Sequence, residues 1–397
     1  MTQSLLTPTI ITRNTLAMLV NNLVMAKRVN RRFENNFTKI GTQLTVRKPN
    51  RFVAKSGPAL QVQTINEPSV VVTINQQAQV AFEFSSADMT LTIEEARERY
   101  FKPAAETLAN FVDYSLASLA TQVPTSVGTP TSTPSTFATS VALTGQQLDE
   151  QGAPQDGRSL VVNPAASWSM AGAQSNAFVT KVSENALIKG YLSTIGNQGI
   201  YMDQNIQTQA ASTYGGSPLT NGTTLDGATT LVTNGWTSTT TTLAVGATFT
   251  VATVYAVNPQ SRQSTGKLQS FTVTTATTTD GSGNSTISFS PPMYASGPFQ
   301  NVTNVPATSK AIVVTSGATT AATTVNNVAF CKDAFGLVMV PMEIPGGVDM
   351  AARENFKGFS MRTIRDYDVQ NDVFITRIDM LFGVVCYYPE LATRLYG

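Results

Sequence analysis

Between residues 216 and 326 the chain almost stops carrying charge. Asp226, Arg262, Lys267, Asp280 and Lys310 are the only Asp, Glu, Lys or Arg side chains in the stretch. Thr, Ser, Gly and Val dominate it, and apolar residues alternate. In "TFTVATVYAV", Phe249, Val251, Tyr255 and Val257 fall on one face. "QSFTVTTAT" and "STISFS" bracket the turn "DGSGN" and set Phe271, Val273, Ile287 and Phe289 on common faces. A period of two broken by glycine turns predicts hairpins. With "KAIVVTS" added, the strands predict a small β-barrel or sandwich. The run "TSTTTT" near its start is then strand and turn, not a spacer.

The flanks follow different rules. Before the stretch, "TGQQLDEQGAP" reads as a helix with a glycine stop and "DGRSLVVNP" as a turn and buried strand. "PAASWSMAG" opens a helix on Pro164, and "NQGIYMDQN" is another strand. After Asn327, "VAFCKDAFGLVMVPMEIP" resumes that style. Two long strands around a polar turn close the chain in "GFSMRTIRDYDVQNDVFITRIDMLFGVV". The uncharged stretch therefore reads as an insertion into an α+β core.

Nearer the start, Leu16, Leu19, Val20, Leu23 and Val24 make one helical stripe and predict a helix over 12–36. From Gly41 to Thr92 the period is two. This predicts a long two-stranded ribbon whose tip has no core of its own. Isolated ribbons are marginal in water, so this one must lie on something else. A second helix is predicted over 93–121, with Glu94 and Glu95 in its first turn and, because Pro103 lacks a donor, a kink or break near Phe101–Lys102.

Composition removes whole classes of function. There is no histidine, which excludes every Ser-His or Cys-His pair and the commonest metal ligand. Cys331 and Cys386 stand far apart without CxxC spacing and read as free thiols of a reducing compartment. The apolar run Leu16–Ala26 is interrupted by Asn21 and Asn22 and is too short for a membrane. No secretory leader is evident. Charged residues make up only 13%, against about 25% in an ordinary soluble domain. That suits a surface largely covered by neighbours.

The small net charge hides an asymmetry. Residues 1–60 carry +9 and the remainder −8. The basic arm predicts an acidic partner, whether nucleic acid or another protein surface. Its candidates are Arg28, Arg31, Arg32, Arg47, Lys48 and Arg51. In "RDYDVQND", Asp366 and Asp368 lie near Arg362, Arg365 and Arg377, so ion pairing or an interface outranks a metal. "DGSGNS" lacks the glutamate an EF-hand needs at its twelfth position, where Pro291 stands. No catalytic residue, cofactor or metal site is expected, and no enzyme.

The ordered set "NNLVMAKRVNRRFENNF", "IGTQLTVRKPNRF", "LTIEEARERYFKPAAETLANFVD", "DGRSLVVNP", "VYAVNPQSRQSTGKLQSFTV", "VAFCKDAF" and "TRIDMLFGVVCYYPELATRL" resembles the P22-like major coat proteins of tailed bacteriophages, which have the HK97-type capsid fold. The resemblance implies an N-terminal arm (1–40) and an extended loop (41–92). It further implies a peripheral domain with a spine helix (93–124 and 358–397), an axial domain (125–215 and 327–357) and an inserted β-barrel domain (216–326). It implies a major capsid protein, assembled in the bacterial cytoplasm into hexamers and pentamers of an icosahedral virion shell. Its partners would be scaffolding protein, portal protein and non-specifically held double-stranded DNA, with no membrane. Such families use charged loops of the insertion between capsomers, and five charges are few for that. The alternative from another class is a secreted or surface-layer β-rich adhesin, which low charge and Thr/Ser richness fit.

Overall fold

The computed structural model describes residues 8–32, 43–58, 60, 62–63, 65, 67–85, 100–130, 141–174, 194–210, 212–239, 242–316, 324–348 and 350–396. The chain divides into two compact units. One comprises Met1–Val46, Ser69–Leu116 and Gly336–Val385; the other comprises Arg47–Pro68, Ala117–Phe335 and Cys386–Gly397.

The first unit is built on the long strand Val373–Cys386. One edge pairs antiparallel with Phe359–Asp368, which pairs in turn with Met350–Phe356. Its other edge takes Gln76–Ser85, register Val373↔Ser85 to Phe382↔Gln76. The expected ribbon is therefore shorter than its alternation suggests. Only Gln43–Arg47 and Ser69–Thr73 pair with each other, while Gln76–Ser85 has left to join the sheet. Helix α1 (Pro8–Asn22) packs on Met350–Phe356 and Phe359–Asp368. It buries Leu16, Leu19 and Val20, as its stripe predicts.

α1 ends at Asn22, short of the expected 36. The cause is a side chain far away in sequence. Asp113 is 1% exposed and accepts the Val24 amide at 2.6 Å and the Ala26 amide at 2.9 Å. Those are amides a continuing helix would have given to carbonyls four residues back. Residues 33–36 lie outside the described residues.

Asp113 belongs to α2 (Lys102–Ala117), and Pro103 sits in its first turn, where no intrahelical donor is needed. Tyr100 and Phe101 form a π-helical turn directly before α2, so the helical geometry changes where the kink or break is expected. Residues 93–99, with Glu94 and Glu95, lie outside the described residues. α2 buries Ala104, Ala105, Leu108, Val112 and Leu116, whereas Tyr100 and Phe111 from the expected stripe are exposed. Phe111 still meets Phe382 edge-on at 6.1 Å.

The second unit holds a mixed sheet in the order Ser126–Val127, Ala392–Leu395, Asn327–Cys331, Arg158–Val162, Gln198–Met202, Thr194–Ile195. Helices α3 (Leu143–Glu150) and α4 (Pro164–Gln174) supply Leu148, Ala166 and Met170 to a core shared with Leu160, Val162, Ile200, Ala329 and Leu395. Asn327–Cys331 pairs directly with Arg158–Val162, although the whole barrel lies between them in sequence. The barrel is thus an insertion, entered and left through a two-stranded stem, Thr208–Gln209 against Thr324–Val325.

Its sheet runs Ile312–Val314, Thr248–Val257, Ser264–Val273, Ser285–Met293, Ala228–Trp236, Gly216–Thr220. A bridge Leu219↔Ala311 and the bond Thr220 N–H to Lys310 O at 2.9 Å join the first strand to the last. The two outer strands therefore meet at this point, and the sheet approaches a closed barrel. Phe249, Phe271 and Phe289 meet at its centre with ring centroids 5.1 to 6.0 Å apart. One expectation fails here. Thr253 has φ 72°, and the register with Ser264–Val273 shifts between Thr250 and Tyr255. This bulge turns Val254 inward and leaves Tyr255 39% exposed. A second shift returns Val257 to the interior. An inserted residue flips a strand's faces, which strict alternation cannot foresee.

Where barrel and core meet lies Arg394, fully buried. Its Nε donates to Val123 O at 2.8 Å. Nη1 donates to Gln209 Oε1 at 2.8 Å, Gly246 O at 2.6 Å and Tyr396 Oη at 3.3 Å. Nη2 donates to Thr121 O at 2.8 Å and Thr272 Oγ1 at 3.0 Å. The guanidinium's five N–H groups are all used, and none of the acceptors is a carboxylate. Gly246 has φ 85°, and a Cβ there would lie 2.9 Å from Thr121 Cβ, so only glycine permits this approach.

Truncating Phe271 to Ala is expected to cost about 3–5 kcal/mol, because it opens a cavity among three rings. Urea unfolding of a 216–326 fragment checks this. A fragment that melts cooperatively and loses this much stability supports the closed core. A fragment with a disordered circular dichroism spectrum contradicts it.

Candidate assembly surfaces

The basic residues fall into two groups. Arg28, Arg31 and Arg32 follow α1. The Arg28 guanidinium donates to Val24 O. Arg31 donates to Lys357 O at 2.9 Å and stacks on the Phe359 ring, 3.8 Å from its centroid. It therefore ties the arm to the turn between Met350–Phe356 and Phe359–Asp368. Arg32 is exposed. Burial, with Arg28 and Lys357 nearby, lowers the Lys27 ammonium below its usual range, and Asp113 offsets part of this.

Arg47, Lys48 and Arg51 begin the segment 47–68, which belongs to the second unit. Arg47 pairs with Glu67 at 3.3 Å across the mouth of the ribbon, where both side chains are exposed and the pair contributes little. Lys48 lies 4.7 Å from the Tyr388 ring, and Arg51 reaches Glu390 at 3.3 Å. The tip thus touches its own chain through cations. Its apolar side chains are shown to solvent: Phe52 is 64% exposed, Leu60 91%, Val62 82% and Ile65 67%. Single exposed apolar residues need no explanation, but four on one short segment do.

Asp366 and Asp368 do not take the arginines expected of them. Asp366 accepts the Tyr367 amide at 3.0 Å. Asp368 accepts the Gln370 amide and the Asn371 side chain at 2.9 and 2.7 Å, and these bonds hold its carboxyl below the usual range, the Asn371 side chain most. Arg362 and Arg377 instead converge on Asp379. Arg362 binds it through Nε at 3.0 Å and Nη2 at 2.6 Å, Arg377 Nε binds at 3.1 Å, and Gln77 adds a bond at 3.2 Å. Asp379 is fully buried. Only register brings it opposite Arg362. Sequence reasoning missed both Asp113 and Asp379, because nothing local marks a carboxylate whose partners come from another element.

Four of the barrel's five charges also act within the chain. Lys267 pairs with Glu150, Asp226 binds the Ala295 amide and Ser296, and Arg262 donates to Gly297 O and Pro298 O. Asp280 closes its own turn on Ser282 and Asn284, bonds that lower its pKa. Both cysteines are free thiols. Among the described residues there is no cluster of three His, Cys, Asp or Glu that could hold a metal. Among them, too, no helix is long and apolar enough to cross a membrane.

The fold, few helices and many strands with a near-barrel sheet inserted, is the HK97-like capsid fold. The structure from Mycobacterium phage Che8 is similar at a TM-score of 0.50 and 14% identity, covering 94% of this chain and 90% of that one. The mature capsid of bacteriophage PhiM1 gives 0.45 at 11% identity, covering 92% and 87%. The capsid of Cyanophage P-SCSP1u gives 0.43 at 13%, covering 93% and 88%. No curated protein matches by sequence. The family described as "P22 coat protein - gene protein 5" matches residues 2–397, and the chain belongs to that family. It is a major capsid protein, a virion component that assembles with its own copies into the shell. The surface-layer or adhesin reading is overturned by that membership.

Replacing Asp379 by Asn leaves two guanidiniums facing a neutral amide. The expected loss is about 3 kcal/mol, since removing one partner of a buried pair strands the other charge. Denaturant unfolding measures it, and a loss below about 1 kcal/mol contradicts the assigned role.

Proposed function

We propose that copies of this chain form hexamers and pentamers of a closed icosahedral shell around double-stranded DNA, built in the bacterial cytoplasm with scaffolding and portal proteins. In this reading 1–40 is the N-terminal arm and 41–92 the extended loop. Segments 93–124 and 358–397 form the peripheral domain, 125–215 and 327–357 the axial domain, and 216–326 the inserted barrel. The observation that carries it is the ribbon tip. Its four outward apolar side chains have no core of their own, and another copy is the natural surface to cover them. Each such contact is weak, but closure makes many of them act together, as in any multivalent assembly. Weak contacts also allow a misplaced copy to leave. Deleting residues 54–69 is expected to leave a folded chain that forms no closed shells in electron micrographs. Normal shells from the deleted chain contradict the role of the tip.

The same reading gives Arg28, Arg31, Arg32, Arg47, Lys48 and Arg51 to acidic partners, and Asp366 and Asp368 to contacts between copies. Joint replacement of Arg28, Arg31 and Arg32 by Gln is expected to leave shell formation intact at high protein concentration. Scaffold recruitment should weaken and its salt dependence become shallower, because fewer ions are released on binding. Sedimentation at several salt concentrations reads this. Unchanged recruitment with less stable shells assigns the arginines to neighbouring coat subunits instead.

A further inference from the structure

Among the described residues, the inserted barrel is fastened to the core at two places of opposite character. At the first, both connecting strands leave the core as the stem Thr208–Gln209 and Thr324–Val325, and Arg394 binds Gln209 of that stem. Arg394 also holds Gly246 O and Thr272 Oγ1 of the barrel, and Thr272 donates to Thr121 O at 3.1 Å. Arg394, Gln209, Gly246 and Thr272 are buried. At the second place, Lys267 Nζ meets both oxygens of Glu150 at 2.8 and 2.9 Å. Asn258 Nδ2 donates to Glu150 O at 2.9 Å. The two side chains of this ion pair are 46% and 21% exposed, within reach of salt and solvent.

Both fasteners act on the strand Ser264–Val273, one near each end. Five residues separate Thr272 from Lys267, about 16 Å of extended chain. Between them lies a cleft of about 120 Å³ whose walls include Thr125, Ser126, Gln147 and Gln151 of the core and Gln269 and Ser270 of the barrel. Because these walls are largely polar, parting them would wet groups that already hydrogen-bond and would uncover little apolar surface. Parting the first fastener would strand a buried cation. At a lever of about 16 Å, a tilt of about 15° moves Lys267 by about 4 Å, enough to break an ion pair.

We propose that the barrel is hinged on the stem and Arg394, with Lys267–Glu150 as a releasable latch between two orientations of the barrel. A shell of hexamers and pentamers puts one chain in unlike surroundings, and a hinged insertion accommodates them. That use rests on the proposed shell geometry; the latch itself is tested on the unassembled chain.

The experiment is amide hydrogen exchange on the full-length protein and on Lys267→Gln, Glu150→Gln and the exchanged double variant Glu150→Lys/Lys267→Glu. Each single variant is expected to exchange about 2- to 5-fold faster over 147–152 and 264–270, while amides around Phe249, Phe271 and Phe289 keep their protection. The double variant should recover part of the difference. Raising salt to about 1 M should speed the same segments in the parent protein but not in Lys267→Gln. Arg394→Met should loosen the stem and the Gly246 and Thr272 seat together. Unchanged exchange over 264–270 in both single variants overturns the latch. Equal loosening of the barrel core overturns the hinge, because the pair would then only stabilise the barrel.

Discussion

The larger unit depends on a buried cation with no anion. Taking a guanidinium out of water is costly, and no carboxylate repays it at Arg394. Neutral acceptors do so instead, and they come from segments that are distant in sequence: the turn after α2, the stem, a turn and a strand of the barrel, and Tyr396 just after the strand Ala392–Leu395. Each segment must be in place before the cation is satisfied. The guanidinium's planar fork suits this task, since five fixed donors can serve several carbonyls at once, whereas an ammonium has three. Its geometry fixes the seat of Gly246 and Thr272 on the core.

The smaller unit uses the opposite device, a buried anion, twice. Asp113 stops α1 by taking two backbone amides that a continuing helix would use. Asp379 gathers Arg362, Arg377 and Gln77 on one face of the sheet. Both carboxylates convert charge into position. The ribbon tip differs, since Phe52, Leu60, Val62 and Ile65 are apolar and exposed.

Legibility followed the range of the interactions involved. Phe249, Val251, Phe271, Val273, Ile287 and Phe289 were readable as a core because alternation is local and each lies inside as it predicts. The turn role of Asp280 was readable because its partners are two and four residues away. Tyr255 was misread because a bulge at Thr253 changes the phase of the strand. The length of the ribbon was misread because Gln76–Ser85 alternates equally well as a hairpin arm and as a partner of Val373–Cys386. Arg362 and Arg377 were given the wrong acids for the same reason: their partner is chosen by strand register, which proximity in sequence does not reveal.

The sequence by itself determined the order of elements, the uncharged insertion, the absence of histidine chemistry and the basic bias of the first 60 residues. All of these are properties of composition and short-range period, which no partner can alter. Tertiary structure alone decided that the outer strands of the barrel sheet meet, that α1 stops at Asn22 and that Arg394 holds the barrel to the core. It also decided that Asp379, and not Asp366 or Asp368, takes the arginines. Each of these outcomes rests on a hydrogen bond or ion pair between residues far apart in the chain. Such a bond forms only where packing has already excluded water, so its energy belongs to the folded arrangement and to no segment within it.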